Sequence, residues 1–202
     1  MTLTVTAGLM SGSIPVLRER SGADRGLVEA YIKEGFRTAY GADLQSLMPR
    51  LFTLSSDKAG LLCAFGLRAA ADSRLYMEQY LDWPVEEAIS RHANRPVARS
   101  QVIEVGNLVS SPGGARAAIV SLTRYLHRAG YRWVVFTGVA SLRAAFIQLG
   151  LCPLVLSAAD PARLDPSDLA AWGRYFAAHP QVMAGDIAAG FRALAAADLE
   201  QK

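Results

Sequence analysis

The segment from Val102 to Thr137 constrains this chain most. Val102-Ile103-Glu104-Val105-Gly106-Asn107-Leu108-Val109 is apolar and β-branched, and reads as a buried strand. The loop Ser110-Ser111-Pro112-Gly113-Gly114-Ala115-Arg116 follows it. A helix over Gly114–Ala129 comes next, with Ala118, Ile119, Leu122, Tyr125 and Leu126 on one apolar face. Gly130 ends it, and Trp133-Val134-Val135-Phe136-Thr137 is a second continuous apolar strand. Strand, helix and strand in this order require a parallel pair with the helix packed across it.

The flanking sequence fills out an α/β plan. Asp24–Tyr40 has apolar residues at helical spacing and a stop at Gly41. Arg50–Ser56 and Gly60–Leu67 flank Asp57-Lys58 as strand, turn and strand. Ser73–Ser90 reads as helical pieces, the second opened by Pro84 in its first turn. Ser141–Leu149 is a further helix stopped by Gly150, and Pro153–Leu156 a strand. Asp165-Pro166-Ser167-Asp168 caps a helix expected to reach Tyr175-Phe176, with Trp172, Tyr175 and Phe176 as core or lid packing. Beyond Pro180 an Ala-rich helix is expected to run to the end, with a thin stripe of Ile187, Phe191 and Leu194. The expected organisation is a domain over 1–160 and a helical C-terminal appendage, 161–202, packed on it.

Charge narrows the ligand. From Ala88 to Ala159 the chain carries eight arginines, no lysine and the single carboxylate Glu104, against a net charge of only +3 overall. Such a field suits an anionic ligand: a nucleotide, coenzyme A, an acidic carrier protein or a lipid headgroup. The arginines lie on several elements, which argues against nucleic acid. His92, His127 and His179 are too scattered for a metal site. Cys63 and Cys152, in apolar runs, are expected to be buried free thiols. Met1–Leu17 lacks a positive start and is broken by Gly8, Gly12 and Pro15, a poor signal peptide. No run reaches the roughly 18 apolar residues that span a bilayer. These features lead to the expectation of a cytoplasmic protein without integral membrane association; they set no oligomeric state.

A lone acid in an apolar strand is costly to bury charged. Glu104 is either a structural partner of an arginine such as Arg68 or Arg99, or a general base. A Gly-rich loop opening a helix cradles anions with its amides, and Arg116 adds a charge-assisted bond.

The order of a strand meander, Glu104 strand, Gly loop, helix, strand, helix and strand resembles the GCN5-related N-acetyltransferase (GNAT) core. The resemblance implies a mixed central sheet flanked by helices, splayed beside residues 101–109 to admit the pantetheine arm of an acyl donor. It implies Glu104 as base and Asn107 as a catalytic partner. Leu108, Val109, Ser110, Ser111, Gly113, Gly114, Ala115, Arg116 and Ser141 would bind the donor, while Arg68, Tyr80, Thr137 and Phe146 would bind substrate. Ser141 and Phe146 stand where that family usually has an Asn and a Tyr general acid, so the usual acid is absent.

A closer resemblance covers about residues 30 to 190. Tyr40-Gly41-Ala42, Glu78-Gln79-Tyr80-Leu81-Asp82-Trp83-Pro84-Val85-Glu86, Glu104-Val105-Gly106-Asn107-Leu108 and Val135-Phe136-Thr137 resemble the thermostable hemolysin family. So do Leu149-Gly150-Leu151, Ala159-Asp160, Trp172-Gly173-Arg174-Tyr175 and Pro180-Gln181-Val182. That pattern is in turn similar to acyl-homoserine-lactone synthases, which take acyl chains from an acyl carrier protein. Their motif places Ser-Arg after the Glu; here Val105-Gly106-Asn107 follows, so lactone chemistry does not carry over. The resemblance implies an N-acyltransferase using an acyl-CoA or acyl-4'-phosphopantetheine carrier as donor, with no tightly bound cofactor. The acceptor would be a small amine such as an amino acid. The family name suggests the competing reading, a membrane-active protein that lyses bilayers directly.

Overall fold

A computed structural model describes residues 15–200 of the 202. Most of the Met1–Leu17 stretch, read above as a poor signal peptide, lies outside the described residues. The elements in order are β1 (Val16–Arg20), α1 (Gly22–Tyr40), β2 (Arg50–Ser56), β3 (Gly60–Ala69), α2 (Val85–Ala93), β4 (Val102–Ser110) and α3 (Gly114–Arg128). They continue with β5 (Trp133–Gly138), α4 (Ala140–Gln148), β6 (Leu154–Ala158), α5 (Pro166–Ala171), β7 (Gln181–Asp186) and α6 (Ile187–Glu200). Two short 3-10 turns matter below, Tyr76–Tyr80 and Tyr175–Ala178.

The seven strands form one sheet in the order β1-β2-β3-β4-β5-β7-β6. Only β4 and β5 run parallel, and α3 makes the crossover the sequence demands. Alternation along each strand sends side chains to two layers. Val102 and Val135 pack under α2 with Val85 and Ile89. Ile103, Val105 and Phe136 pack under α3 with Ala118 and Leu126. Helix α1 covers β2 and β3 through Val28, Ile32 and Phe36 against Leu51 and Ala64.

The C-terminal region departs most from expectation. Gln181–Asp186 is not helical but forms β7, inserted between β5 and β6. Its Val182, Met183 and Ala184 are fully buried, so both faces are covered and no alternation marks a strand. A six-residue run without a period is ambiguous by pattern alone. Residues beyond 160 therefore contribute helices and an interior strand. Helix α6 is docked rather than frayed at its start: Ile187 and Leu194 are buried, and the Phe191 ring stacks on His127 with centroids 4.1 Å apart.

Three smaller corrections have local causes. Pro84 sits at the N-cap of α2, one position before the first turn, and its carbonyl accepts the Ala88 amide. Cys63 is buried as expected, whereas Cys152 is exposed. Helix α5 stops at Ala171 instead of reaching Phe176, because Gly173 takes a left-handed conformation at φ 53°. The turn there is clamped to the end of α1: Arg174 N–H donates to Tyr40 O at 2.8 Å, and Asp43 N–H to Ala171 O at 2.7 Å.

A Cβ on Gly173 would lie 2.5 Å from the Tyr40 carbonyl oxygen. Gly173→Ala therefore adds backbone strain and a clash with rigid main chain, and is expected to destabilise the protein by about 2–4 kcal/mol. Urea unfolding of the two proteins measures this; a change within 0.5 kcal/mol, as at ordinary surface sites, would contradict the clamp.

Candidate active site

Strand β4 places Glu104 on the same side of the sheet as Val102, facing the α1 and α2 layer. It lies opposite Arg68 on β3 and Val135 on β5. Its side chain is only 3% exposed. Neither ion pair weighed from the sequence forms. Arg99 instead binds Glu78 at 2.6 Å and Glu86 at 2.9 Å. Both Glu104 oxygens accept backbone donors from the first 3-10 turn: Oε2 from Tyr76 N–H and Oε1 from Met77 N–H, each at 2.9 Å. Each carboxylate oxygen keeps a second lone pair for a proton or a ligand.

Two buried carboxylates sit within this layer, and their surroundings drive them apart. Burial pushes the Glu104 carboxyl up to about 7; the two amides and the Arg68 charge pull the other way without prevailing, and the Glu78 charge adds to the rise. Burial also acts to raise Glu78, but hydrogen bonds from Arg99 and from the Val85 and Leu75 amides hold it at about 2. Glu78 is thus a fixed anion that ties Leu75 to Val85. Glu104 is placed to exchange a proton near neutral pH, the property that a general base at this position would need.

A bulge beyond Glu104 opens the sheet. On β3, Ala64 and Gly66 pair with Val109 and Gly106, so β4 carries one extra residue there. Asn107 takes the left-handed conformation at φ 55°. Its Oδ1 accepts the Met48 amide at 2.8 Å, which pins the loop before β2 to the bulge. The Met48 side chain lies across the paired glycines Gly66 and Gly106, where added Cβ atoms would approach it to 2.2 and 2.4 Å. On the other side, β4–β5 pairing ends at Val105 and Phe136, although both strands continue. A cavity of about 660 Å³ occupies this divergence. It is bordered by Tyr40, Met48, Tyr76 and Trp172 on the α1 side and by Leu122, Phe136 and Phe146 on the α3 side.

Every residue expected at the site borders this cavity except Gly114 and Arg116. Gly114 is packed beneath β3, where a Cβ would meet the Leu62 carbonyl oxygen at 2.2 Å. The same carbonyl takes the Ser111 amide at 2.9 Å, and Ser111 O takes the Gly114 amide at 2.9 Å. Of the expected amide cradle, Ser111 and Gly114 are thus committed within the protein and Pro112 has no N–H. Gly113, at φ 78°, and the first-turn amides of Ala115 and Arg116 remain for an anion. The Arg116 side chain is exposed beside them. Phe146, standing for the usual acid, stacks on Phe136 with centroids 4.9 Å apart and offers no proton.

The residues that sequence reasoning missed form the wall opposite α3. Tyr76 and Met77 hold Glu104 through main-chain groups, which leave no side-chain signal. Trp172 Nε1–H donates to the Tyr76 hydroxyl at 2.7 Å, and Tyr175 packs edge-on against Tyr40 at 5.1 Å. The clustering of aromatics at Trp172, Tyr175 and Phe176 was the available clue to this wall.

Between about pH 4.5 and 7, folded Glu104 keeps a proton that the unfolded chain has released. Its contribution to stability is therefore full below 4.5 and declines as pH rises through 7. Glu78 works oppositely, contributing above its ordinary value and losing that contribution as pH falls toward 2. Urea unfolding across pH 5–8 should show Glu104→Gln gaining stability relative to the parent chain as pH rises; parallel curves would contradict the assignment.

No curated protein matches this sequence closely enough to count as a relative. Solved structures do match. TofI, in an apo form, is 12% identical with a TM-score of 0.56, covering 89% of this chain and 95% of that one. The acyl-homoserine-lactone synthase LasI is 10% identical with a TM-score of 0.54, covering 87% and 91%. FeeM, an N-acyl amino acid synthase from uncultured soil microbes, is 14% identical with a TM-score of 0.55, covering 87% and 92%. At such identities the likeness is one of fold, and the mixed sheet open beside β4 is the GNAT-like architecture expected from the sequence. The thermostable hemolysin model matches residues 18–191, nearly the whole described chain. The protein belongs to the thermostable hemolysin family.

Proposed function

We propose that this protein is an N-acyltransferase that moves a fatty acyl group from a thioester of coenzyme A or an acyl carrier protein to an amine such as an amino acid. The observation that carries the reading is Glu104, a buried carboxyl held by two amides at the edge of the strand gap and poised near 7. Amide formation needs an amine stripped of its proton, and a base of this strength performs that task at neutral pH.

The surroundings support a thioester donor. From Gly106 onward β4 is paired only with β3, so its other edge offers main-chain groups to an extended pantetheine arm. The Gly113, Ala115 and Arg116 amides would meet its phosphate end. Leu122, Leu126, Phe136 and Phe146 supply apolar surface for the acyl chain on the α3 side. The exposed Arg116 and Arg128 on α3 suit an acidic carrier.

In the reaction the amine nitrogen attacks the thioester carbonyl and forms the N–C bond while Glu104 takes the amine proton. The C–S bond then breaks, and the thiolate takes a proton from solvent at the cavity mouth, since Phe146 supplies none. Asn107 acts through position, holding the bulge and the Met48 loop that frame the reacting groups. For the lytic reading, no helix among the described residues is long and apolar enough to cross a membrane.

Thiol release from octanoyl-CoA with a panel of amines tests the proposal. Glu104→Gln should lower kcat by about 10²- to 10⁴-fold, and wild-type kcat/KM should rise with pH to a plateau just above 7. Dye-filled liposomes without donor should stay intact. Unchanged turnover in Glu104→Gln, or donor-independent leakage that survives the substitution, would overturn the reading.

A further inference from the structure

We infer that the acceptor is a free α-amino acid with an apolar or aromatic side chain, anchored by its carboxylate on Arg68 beside Glu104. The inference rests on the acyl-transfer reading and names the substrate of its second half-site.

Arg68 and Glu104 are direct partners across β3 and β4, so both project to the same face with Cβ atoms about 5 Å apart. They do not form an ion pair, because both Glu104 oxygens are turned to the Tyr76 and Met77 amides. Arg68 itself makes only a long bond to the Arg74 carbonyl at 3.5 Å. Among the described residues no carboxylate lies within ion-pair distance of it, whereas Arg95 and Arg163 each hold one and Arg99 holds two. A half-buried guanidinium on a cavity wall, without an anion of its own, is a carboxylate or phosphate site.

Distance decides which anion. The loop that would hold donor phosphates begins beyond Ser110, whose partner Cys63 stands five residues along β3 from Arg68, or about 17 Å at strand rise. The donor's phosphates therefore lie out of reach of Arg68, and its anion belongs to the acceptor. An α-amino acid places its amine and carboxylate on one carbon, which matches adjacent cross-strand groups: the amine toward Glu104, the carboxylate toward Arg68. The third substituent faces aromatic rings. The Tyr76 hydroxyl takes up the Trp172 indole N–H, and the rings of Tyr76, Trp172 and Tyr175 all border the cavity. Asp168 on the border disfavours an acidic side chain.

The test compares L-phenylalanine with phenethylamine, which lacks only the carboxylate, by calorimetric binding to the full chain saturated with coenzyme A. The intact protein should prefer phenylalanine by about 10- to 100-fold. Arg68→Gln should abolish that preference while leaving the calorimetric affinity for coenzyme A unchanged, and Arg68→Lys should restore part of it. Equal binding of the two ligands by the parent protein, or Arg68→Gln weakening both alike, would overturn the inference. Because binding is read without turnover, a retained preference with no acyl transfer to any amine would uphold the carboxylate site and sink the transferase reading instead.

Discussion

The pair of hydrogen bonds from the Tyr76 and Met77 amides to Glu104 joins two parts of the molecule that the chain separates by more than twenty residues. It fixes the 3-10 turn against β4 and turns both carboxylate oxygens away from Arg68. It also sets the chemistry. Two neutral donors stabilise the anion enough to keep it in place, yet not enough to offset its burial, so the proton remains exchangeable near neutrality. Glu78, with Arg99 added to a similar pair of amides, becomes a permanent anion and a structural tie. One arginine separates the two roles.

The cavity depends on a second constraint, the extra residue in β4. Asn107 absorbs the bulge in a left-handed conformation and spends its side-chain oxygen on Met48. Met48 in turn fills the slot above Gly66 and Gly106, where any side chain would collide. The bulge re-aims β4, its pairing with β5 lapses after Val105, and the gap that results meets the cavity beside Glu104. The aromatic wall is held from outside by the Gly173 turn on the end of α1, so the C-terminal third of the chain takes part in shaping the site.

The architecture was legible where periodicity and punctuation agreed. The Glu104 strand, its loop, α3 and β5 follow from apolar runs bounded by glycines, and the residues assigned to the site nearly all meet at one cavity. Strand β7 was not legible, since Val182, Met183 and Ala184 are covered on both faces and show no alternation. The end of α5 turned on Gly173, whose conformation is imposed by a carbonyl on a distant helix. The partners of Glu104 escaped notice for a related reason: they are main-chain amides, and the sequence advertises side chains. The same holds for the loop, where the Leu62 carbonyl claims the Ser111 amide that the residue types alone left open.

The proposed chemistry depends on the proton affinity of one carboxyl group. Carbon-detected NMR of protein labelled at glutamate carboxyl carbons, with Glu104→Gln used to assign the resonance, follows that proton directly. The Glu104 midpoint is expected near 7, more than a pH unit above the ordinary glutamate value of 4.5. A midpoint near the ordinary 4.5 would contradict that chemistry, because Glu104 would then be a plain structural anion at neutral pH.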